Sequence, residues 1–413
     1  MTSARTVVSE RSATQPGLPR VLALDAARGI AVLGMFAVHT GPPEQVFGSG
    51  WLSVFAGRSA ALFAVLAGVS LTLMSGGRTP RTGRAGRRDL VRIAARAVLI
   101  AALGLALAQL HSGIGIMIIL TYYGLYFLLA LPLVRLGARA LTVLAAGWAI
   151  AGPIASFLIR EHLDQSTAGG HPSADMLTSW SGLGEAATML MFTGAYPAIT
   201  WMPFVLAGMA LGRWGIRELR ALPLLGIGAL LALIGYGGSW LLQHPFGGRA
   251  HLVDLLTGLG VTDIDPAVII DLAGLGTVGT NSWWWLTIDN AHSGTPFEIF
   301  GSVGVAFLVI GALTAVLPAA RIPLYPLICA GSCALSLYIA QVVAVAVLVP
   351  LDADTPPAGA IHGPSWQLLA LLVIGSLVLA TLWRSMFRRG PAEWLLHRVT
   401  MGITDALVPA DPR

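Results

Sequence analysis

Lysine is missing from this 413-residue chain, and all 25 of its basic residues are arginine. The absence reads first as GC-rich coding, because guanidinium suits phosphates and headgroups better than ammonium but identifies no ligand by itself. Charge of any kind is scarce, 11% of residues against about 25% in ordinary globular domains, while 55% are hydrophobic and the mean hydropathy is +0.76. That balance excludes a water-soluble globular protein and predicts a polytopic membrane protein. Only two cysteines occur, Cys329 and Cys333, four apart in an apolar stretch, which excludes a disulfide framework. There is no Walker A sequence, no Gly-x-Gly-x-x-Gly at a strand–helix junction and no His-Glu-x-x-His. No two histidines have ligand spacing on a predicted helix, so no metal is expected. The pI near 9.7 does not argue for nucleic acid, because the arginines lie in short loops between apolar spans.

What is present is a series of apolar runs long enough to cross a bilayer. They fall near 22–40, 55–75, 91–110, 114–134, 140–159, 196–212, 221–242, 299–317, 324–349 and 366–384, predicting an all-α bundle of about ten transmembrane helices. With the amino terminus inside, the arginines of loop 78–88 together with Arg135, Arg139, Arg213, Arg220, Arg321 and Arg384 also fall inside, and most acids fall outside. An even helix count with both termini cytoplasmic fits this asymmetry. Residues 1–20 then read as a polar cytoplasmic tail, 21–384 as the bundle with long outer loops at 160–195 and 243–298, and 385–413 as a cytoplasmic carboxy-terminal tail. With no small-x-small cleavage site before Gly41, the first helix reads as retained rather than as a signal peptide. Val65-Leu-Ala-Gly68 and Val205-Leu-Ala-Gly208 echo one another, a faint half-repeat.

The first span carries unusual cargo: Asp25, Arg28 and His39. Ionisable groups inside a span are costly and mark functional candidates. At about 100° and 1.5 Å per residue the three share one side of the helix, Arg28 and His39 lying roughly 16 Å apart along its axis. Asp25 and Arg28 form an i,i+3 pair that either fixes helix position or leaves Arg28 to meet phosphates. His39, at the other end, is the sharper candidate, able to take a proton from an acceptor or to carry an acyl group itself. Arg58 opens the second helix and either contacts whatever binds near His39 or snorkels to headgroups. In Asp289-Asn290-Ala291-His292-Ser293-Gly294-Thr295-Pro296-Phe297-Glu298, Thr295 predicts an N-cap, Pro296 the first helical position and Glu298 the capping-box acid. Capping leaves Asp289 and His292 unexplained, and an Asp beside a His is a common way to orient it. His111 and His251 are weaker candidates; His162, His171, His244 and His362 read as loop residues, and His397 as part of the tail.

The opening Leu24-Asp25-Ala-Ala-Arg28-Gly29-Ile-Ala-Val-Leu-Gly-Met35 resembles the DxxRGxAxxxM start of transmembrane acyltransferases related to heparan-alpha-glucosaminide N-acetyltransferase, and of the YeiB-like membrane proteins. Phe63-Ala-Val-Leu-Ala-Gly68, Tyr196-Pro-Ala-Ile-Thr-Trp201, Gly331-Ser-Cys-Ala-Leu-Ser-Leu-Tyr338-Ile-Ala-Gln341 and Arg389-Gly-Pro-Ala-Glu393-Trp394 resemble further YeiB-like segments along the chain. The resemblance implies an acyltransferase-like bundle that takes an acyl group, acetyl foremost, from cytoplasmic acyl-CoA to an acceptor hydroxyl or amine at the outer face. One departure stands out: His39 occupies a position where the heparan-modifying enzyme has Asn, and no counterpart of that enzyme's next histidine follows, where the chain reads Phe47-Gly-Ser-Gly50-Trp51.

The expectation is therefore a multi-pass protein of the cell (inner or plasma) membrane, working as an acyl-CoA-dependent O- or N-acyltransferase. Acetyl-CoA or another acyl-CoA is its cosubstrate, and a saccharide, lipid or metabolite its outer acceptor. Membrane lipids are expected partners, nucleic acid is not, and a homodimer is compatible with such a bundle. His39, His292 and Asp289 are the catalytic candidates, and Asp25, Arg28 and Arg58 the donor-binding ones. A small-molecule transporter or exporter using the same polar stripe, and a non-catalytic scaffold, remain the alternatives.

Overall fold

The computed structural model describes residues 22–48, 50–110, 114–166, 168–215, 220–261, 263–349 and 363–409. The tail read at 1–20, His111 and His362 lie outside the described residues. Among the described residues all regular structure is helical. The helices that build the site are α1 (Leu22–Thr40), α2 (Arg58–Met74), α3 (Gly83–Leu107), α4 (Leu120–Ala130), α5 (Ala138–Arg160), α6 (Ala198–Gly215), α7 (Ala221–Ala232), α8 (Pro296–Ala320), α9 (Tyr325–Ser332), α10 (Ala334–Leu348), α11 (Trp366–Met386) and α12 (Pro391–Leu407).

Seven described helices are long and apolar enough to cross a bilayer, and two bent pairs raise the number to nine. The run read at 114–134 is a shorter apolar helix, Leu120–Arg135. Two of the expected spans belong to bent helix pairs. α6 is 18 residues long but is apolar enough for a span only together with Trp180–Thr193, bent from it by 58°. The break is Gly194-Ala195-Tyr196-Pro197, where proline cannot continue the helical ladder, so residues 180–193 of the expected outer loop 160–195 form one arm of a broken span or re-entrant segment. α9 and α10 are bent by 80° at Cys333. Such a break orphans the first N–H groups of α10, and Glu393 of α12 satisfies them: its Oε1 accepts from Leu335 N–H at 2.7 Å and Ser336 N–H at 3.3 Å. The segment read as a carboxy-terminal tail thus contains a helix that packs on α3 and α10 and caps the latter.

α1 is the centre of the bundle, touching α2, α8, α9, α10 and α11, and 13 of its residues are buried. A helix apolar nearly all round belongs inside, which is where Asp25, Arg28 and His39 then have to lie. Close approach depends on glycine at two crossings. On α9, a Cβ at Gly331 would overlap the Asp25 carbonyl oxygen of α1. At the α2–α6 crossing, a Cβ on Gly68 would overlap the Val205 carbonyl and one on Gly208 the Val65 carbonyl. The two sequence echoes are therefore the two sides of one reciprocal small-residue contact.

The segment 243–298 is not an open loop. Helices Gly248–Gly258 and Pro266–Leu272 and the turn Trp283–Thr287 enclose a second apolar cluster around Leu252, Ile270, Trp285 and Ile288, with Phe157 of α5. Its last residues lead into α8 as the capping signals predict: the Thr295 side chain accepts from Glu298 N–H at 3.1 Å and Pro296 is the first helical residue.

Candidate functional site

Two cavities lie along the interior face of α1. The wider, of about 440 Å³, is at the end carrying the Arg-rich loop and is lined by Asp25 and Arg28 of α1, Ser70 of α2, Arg92 and Arg96 of α3, Tyr123 of α4, and Arg389, Glu393 and His397 at the start of α12. That volume is in the range of small-molecule pockets. Four arginines face two carboxylates here, so the cavity is net cationic. His397 registers that field: partial burial, then the guanidinium groups of Arg389, Arg92 and Arg96, hold its imidazole below the ordinary value.

The arginines are differently committed. Arg28 donates through Nη1 to Asp25 Oδ1 at 2.7 Å and through Nη2 to Ser70 Oγ at 2.9 Å, so its fork is already occupied by protein. The other oxygen, Asp25 Oδ2, is buried without a hydrogen-bond partner among the described residues. Arg92 is bound to the Met74 carbonyl and to Asp89 Oδ1. Arg96, a turn further along α3, has no hydrogen bond or ion pair among the described residues, and its nearest countercharge is Glu393.

The second cavity, of about 20 Å³, has room for a water-sized group and lies at the opposite end of α1. Its lining includes His39 of α1, Ser59 of α2, Ile119 at the start of α4, Tyr196, His292 and Tyr338 of α10. α1, α2, the start of α4 and α10 therefore line both cavities. His39 Nδ1 is 3.3 Å from Nε2 of the buried Gln341, one turn beyond Tyr338. Tyr338 Oη accepts from Ile119 N–H at 3.3 Å and so ties the cavity wall to the chain before α4.

His292 is held hard. It lies stacked on Trp201, centroids 5.7 Å and planes 17° apart, and edge-on to Tyr196 at 5.3 Å. Its backbone has φ +61°, a left-handed conformation uncommon outside glycine, and its N–H donates to Glu298 Oε1 at 3.1 Å. Nδ1 is buried with no hydrogen-bond partner among the described residues. Non-glycine strain of this kind clusters at functional sites.

The structure thus brings His39 and His292 to one cavity and Asp25 and Arg28 to the other. It separates the remaining two candidates from both. Asp289 does not orient His292: its Oδ1 accepts from Ser239 Oγ at 3.0 Å, joining the segment before α8 to the helix Gly238–Gln243 that extends α7. Spacing in irregular chain says nothing about where a side chain turns, and Ser239 is the nearer donor. Arg58 donates to Tyr236 Oη at 2.9 Å and lies 4.8 Å over its ring, so it ties α2 to the extension of α7 while its neighbours Gly57 and Ser59 line the cavity. Arg92 and Arg96 close the basic run 78–96, which the sequence offers both as a donor-phosphate contact and as plain membrane topology, whereas Glu393, Tyr338 and Gln341 were not among the expected site residues. These three sat in family-like motifs with no chemistry attached.

Burial, and secondarily the charge of His39, lower the His292 imidazole from 6.5 to about 4. A depressed folded-state value means that stability is fully present above 6.5 and is lost as pH falls from 6.5 towards 4, by about 3 kcal/mol at 1.36 kcal/mol per unit. Protonating His292 should therefore cost stability at pH 5 relative to pH 7.5, and His292→Asn, which tolerates the positive φ, should show a smaller fall in melting temperature between pH 7.5 and pH 5 than the wild type. Equal slopes in the two proteins would show that His292 takes up its proton without cost.

The family model described as heparan-alpha-glucosaminide N-acetyltransferase, catalytic, matches residues 20–238, more than half of the chain. A second, described as a protein of unknown function (DUF418), matches residues 266–403. No curated protein matches the chain. The first match covers α1 to α7, including Asp25, Arg28, His39, Arg92 and Arg96; the second covers His292, Tyr338, Gln341 and Glu393.

Proposed function

The chain belongs to the heparan-alpha-glucosaminide N-acetyltransferase, catalytic, family, and from that membership and its paired cavities we propose that it is a membrane-embedded acyltransferase using acyl-CoA. The observation that carries the reading is that the same helices line a cationic cavity at one end of α1 and an imidazole-lined one at the other. The positive-inside rule puts the cationic cavity at the cytoplasmic face, where acyl-CoA is available. Guanidinium groups of Arg96 and Arg389 meet the donor phosphates, with Arg28 and Asp25 shaping the wall beside them. The acyl end of the donor extends along α1, and the small volume at His39 suits an acetyl group better than a long chain.

His39 then accepts the proton of an acceptor hydroxyl or amine as its oxygen or nitrogen bonds to the thioester carbon. The carbon–sulfur bond breaks, and the departing CoA thiolate takes that proton from the imidazolium. Thioester and acceptor become ester or amide and free thiol, with no redox partner needed. Gln341 holds the His39 ring from behind, and His292 forms the facing wall. The acceptor is a saccharide, lipid or metabolite at the outer face.

The test is donor binding to purified, detergent-solubilised protein by thermal shift and calorimetry, with acetyl-CoA against free CoA, dephospho-CoA and ATP. A specific ligand at a hundred times its Kd stabilises the native state by about 2.7 kcal/mol. Saturable stabilisation by acetyl-CoA above ATP is the expected result. A folded sample indifferent to millimolar acetyl-CoA would return the polar stripe to transport or scaffolding.

A further inference from the structure

A third cavity, of about 410 Å³, opens between α5, α6, α7 and α8 on the side of the bundle, away from α1 and both cavities above. Small residues make it: Ala145, Ala146 and Ala149 on α5, and Ala207 and Ala210 on α6, leave a furrow that larger neighbours overhang. Its lining is apolar apart from one end, where Trp214 Nε1 donates to Thr142 Oγ1 at 3.1 Å and both side chains are exposed.

Along α6 the lining runs from Pro203 to Trp214, eleven residues and so roughly 16 Å at 1.5 Å per residue. The hydrocarbon core is about 30 Å thick, so the furrow is as deep as a single leaflet. The polar end is where an interface belongs, because exposed tryptophans sit at headgroup level. One helical turn beyond Thr142 on α5 is Arg139, and one turn before Pro223, which also lines the furrow, is Arg220. Both are exposed and neither has an ion pair among the described residues. An apolar slot of one leaflet's depth, with two exposed arginines one helical turn from its polar end and without an ion pair among the described residues, is complementary to one lipid class.

We propose that this furrow is a specific site for an anionic phospholipid of the leaflet at the basic end, one acyl chain lying between α5 and α6–α8 and the phosphate meeting Arg139 and Arg220. The chain fills a volume that side chains leave open, and the charge selects the headgroup. Occupancy braces α7 against α5, two helices that both pack on α8.

The experiment is native mass spectrometry with parallel thermal shift on delipidated protein, titrated with phosphatidylglycerol and phosphatidylcholine of identical chains. Wild type should retain one phosphatidylglycerol at concentrations where phosphatidylcholine is lost. Arg139→Gln/Arg220→Gln should weaken that retention roughly thirtyfold, from about fivefold per basic residue at a membrane surface. Ala146→Trp should fill the furrow and reduce retention of both lipids. All three substitutions are at exposed positions, and melting without lipid checks that each variant is folded. Equal retention of the two lipids by wild type, or undiminished phosphatidylglycerol binding by both variants, would overturn the site and leave only a nonspecific lipid shell.

Discussion

Replacing His39 with alanine is expected to lower acyl transfer by about 10²–10⁴-fold, the range a positioned general base contributes, while membrane insertion and donor binding stay at wild-type values. The side chain stands at the end of α1 remote from the cationic cavity, and its loss enlarges the narrow cavity without touching an arginine. His39→Asn is the sharper control. It keeps a neutral polar group of similar size near Gln341 but cannot take up a proton, so it should be nearly as inactive as alanine. Transfer is read as CoA thiol released in the presence of an acceptor, and donor binding by the same thermal shift in parallel. Wild-type turnover in either variant would remove the imidazole from the reaction and leave His292 as the remaining candidate.

The residues that were legible in the sequence are those whose burden is visible locally. A charged pair and an imidazole in an apolar span are costly wherever the span packs, so Asp25, Arg28 and His39 announce themselves before any partner is known. The capping of α8 was legible for the same reason, since Thr295, Pro296 and Glu298 satisfy one helix end among themselves. What pairs across the fold was not. The His39 contact is with Gln341, 302 residues away, and the capping of α10 comes from Glu393, 57 and 58 residues on. Nor could apolar length distinguish a straight span from α9 and α10, because an 80° break costs nothing in hydropathy once a distant carboxylate satisfies the freed N–H groups. Arg96 was hidden differently. Positive-inside topology predicts arginine there, and only the packing of α12 against α3 shows that this one turns into a cavity.

The arginines themselves should separate by the kind of damage their removal causes. Arg96→Ala is expected to weaken acetyl-CoA binding by about 10–100-fold, the value of a charge-assisted hydrogen bond to phosphate, with little change in unliganded melting, because no protein group is left unpaired. Arg28→Ala should do the reverse. It strips the counter-ion from Asp25, which already has one orphaned oxygen, and destabilises the fold by about 3 kcal/mol while affinity falls less. The charge-swapped pair Asp25→Arg/Arg28→Asp then divides the readings. If the pair only fixes α1, the swap restores much of the lost stability and donor affinity together. If the cavity is arranged for an anion, the swap restores melting but not binding, since it moves the carboxylate to the position beside Ser70 that Arg28 now occupies. Affinity that follows stability through all three variants would mean that neither Arg28 nor Arg96 meets phosphate directly, whereas a loss concentrated in Arg96→Ala assigns a phosphate contact to α3.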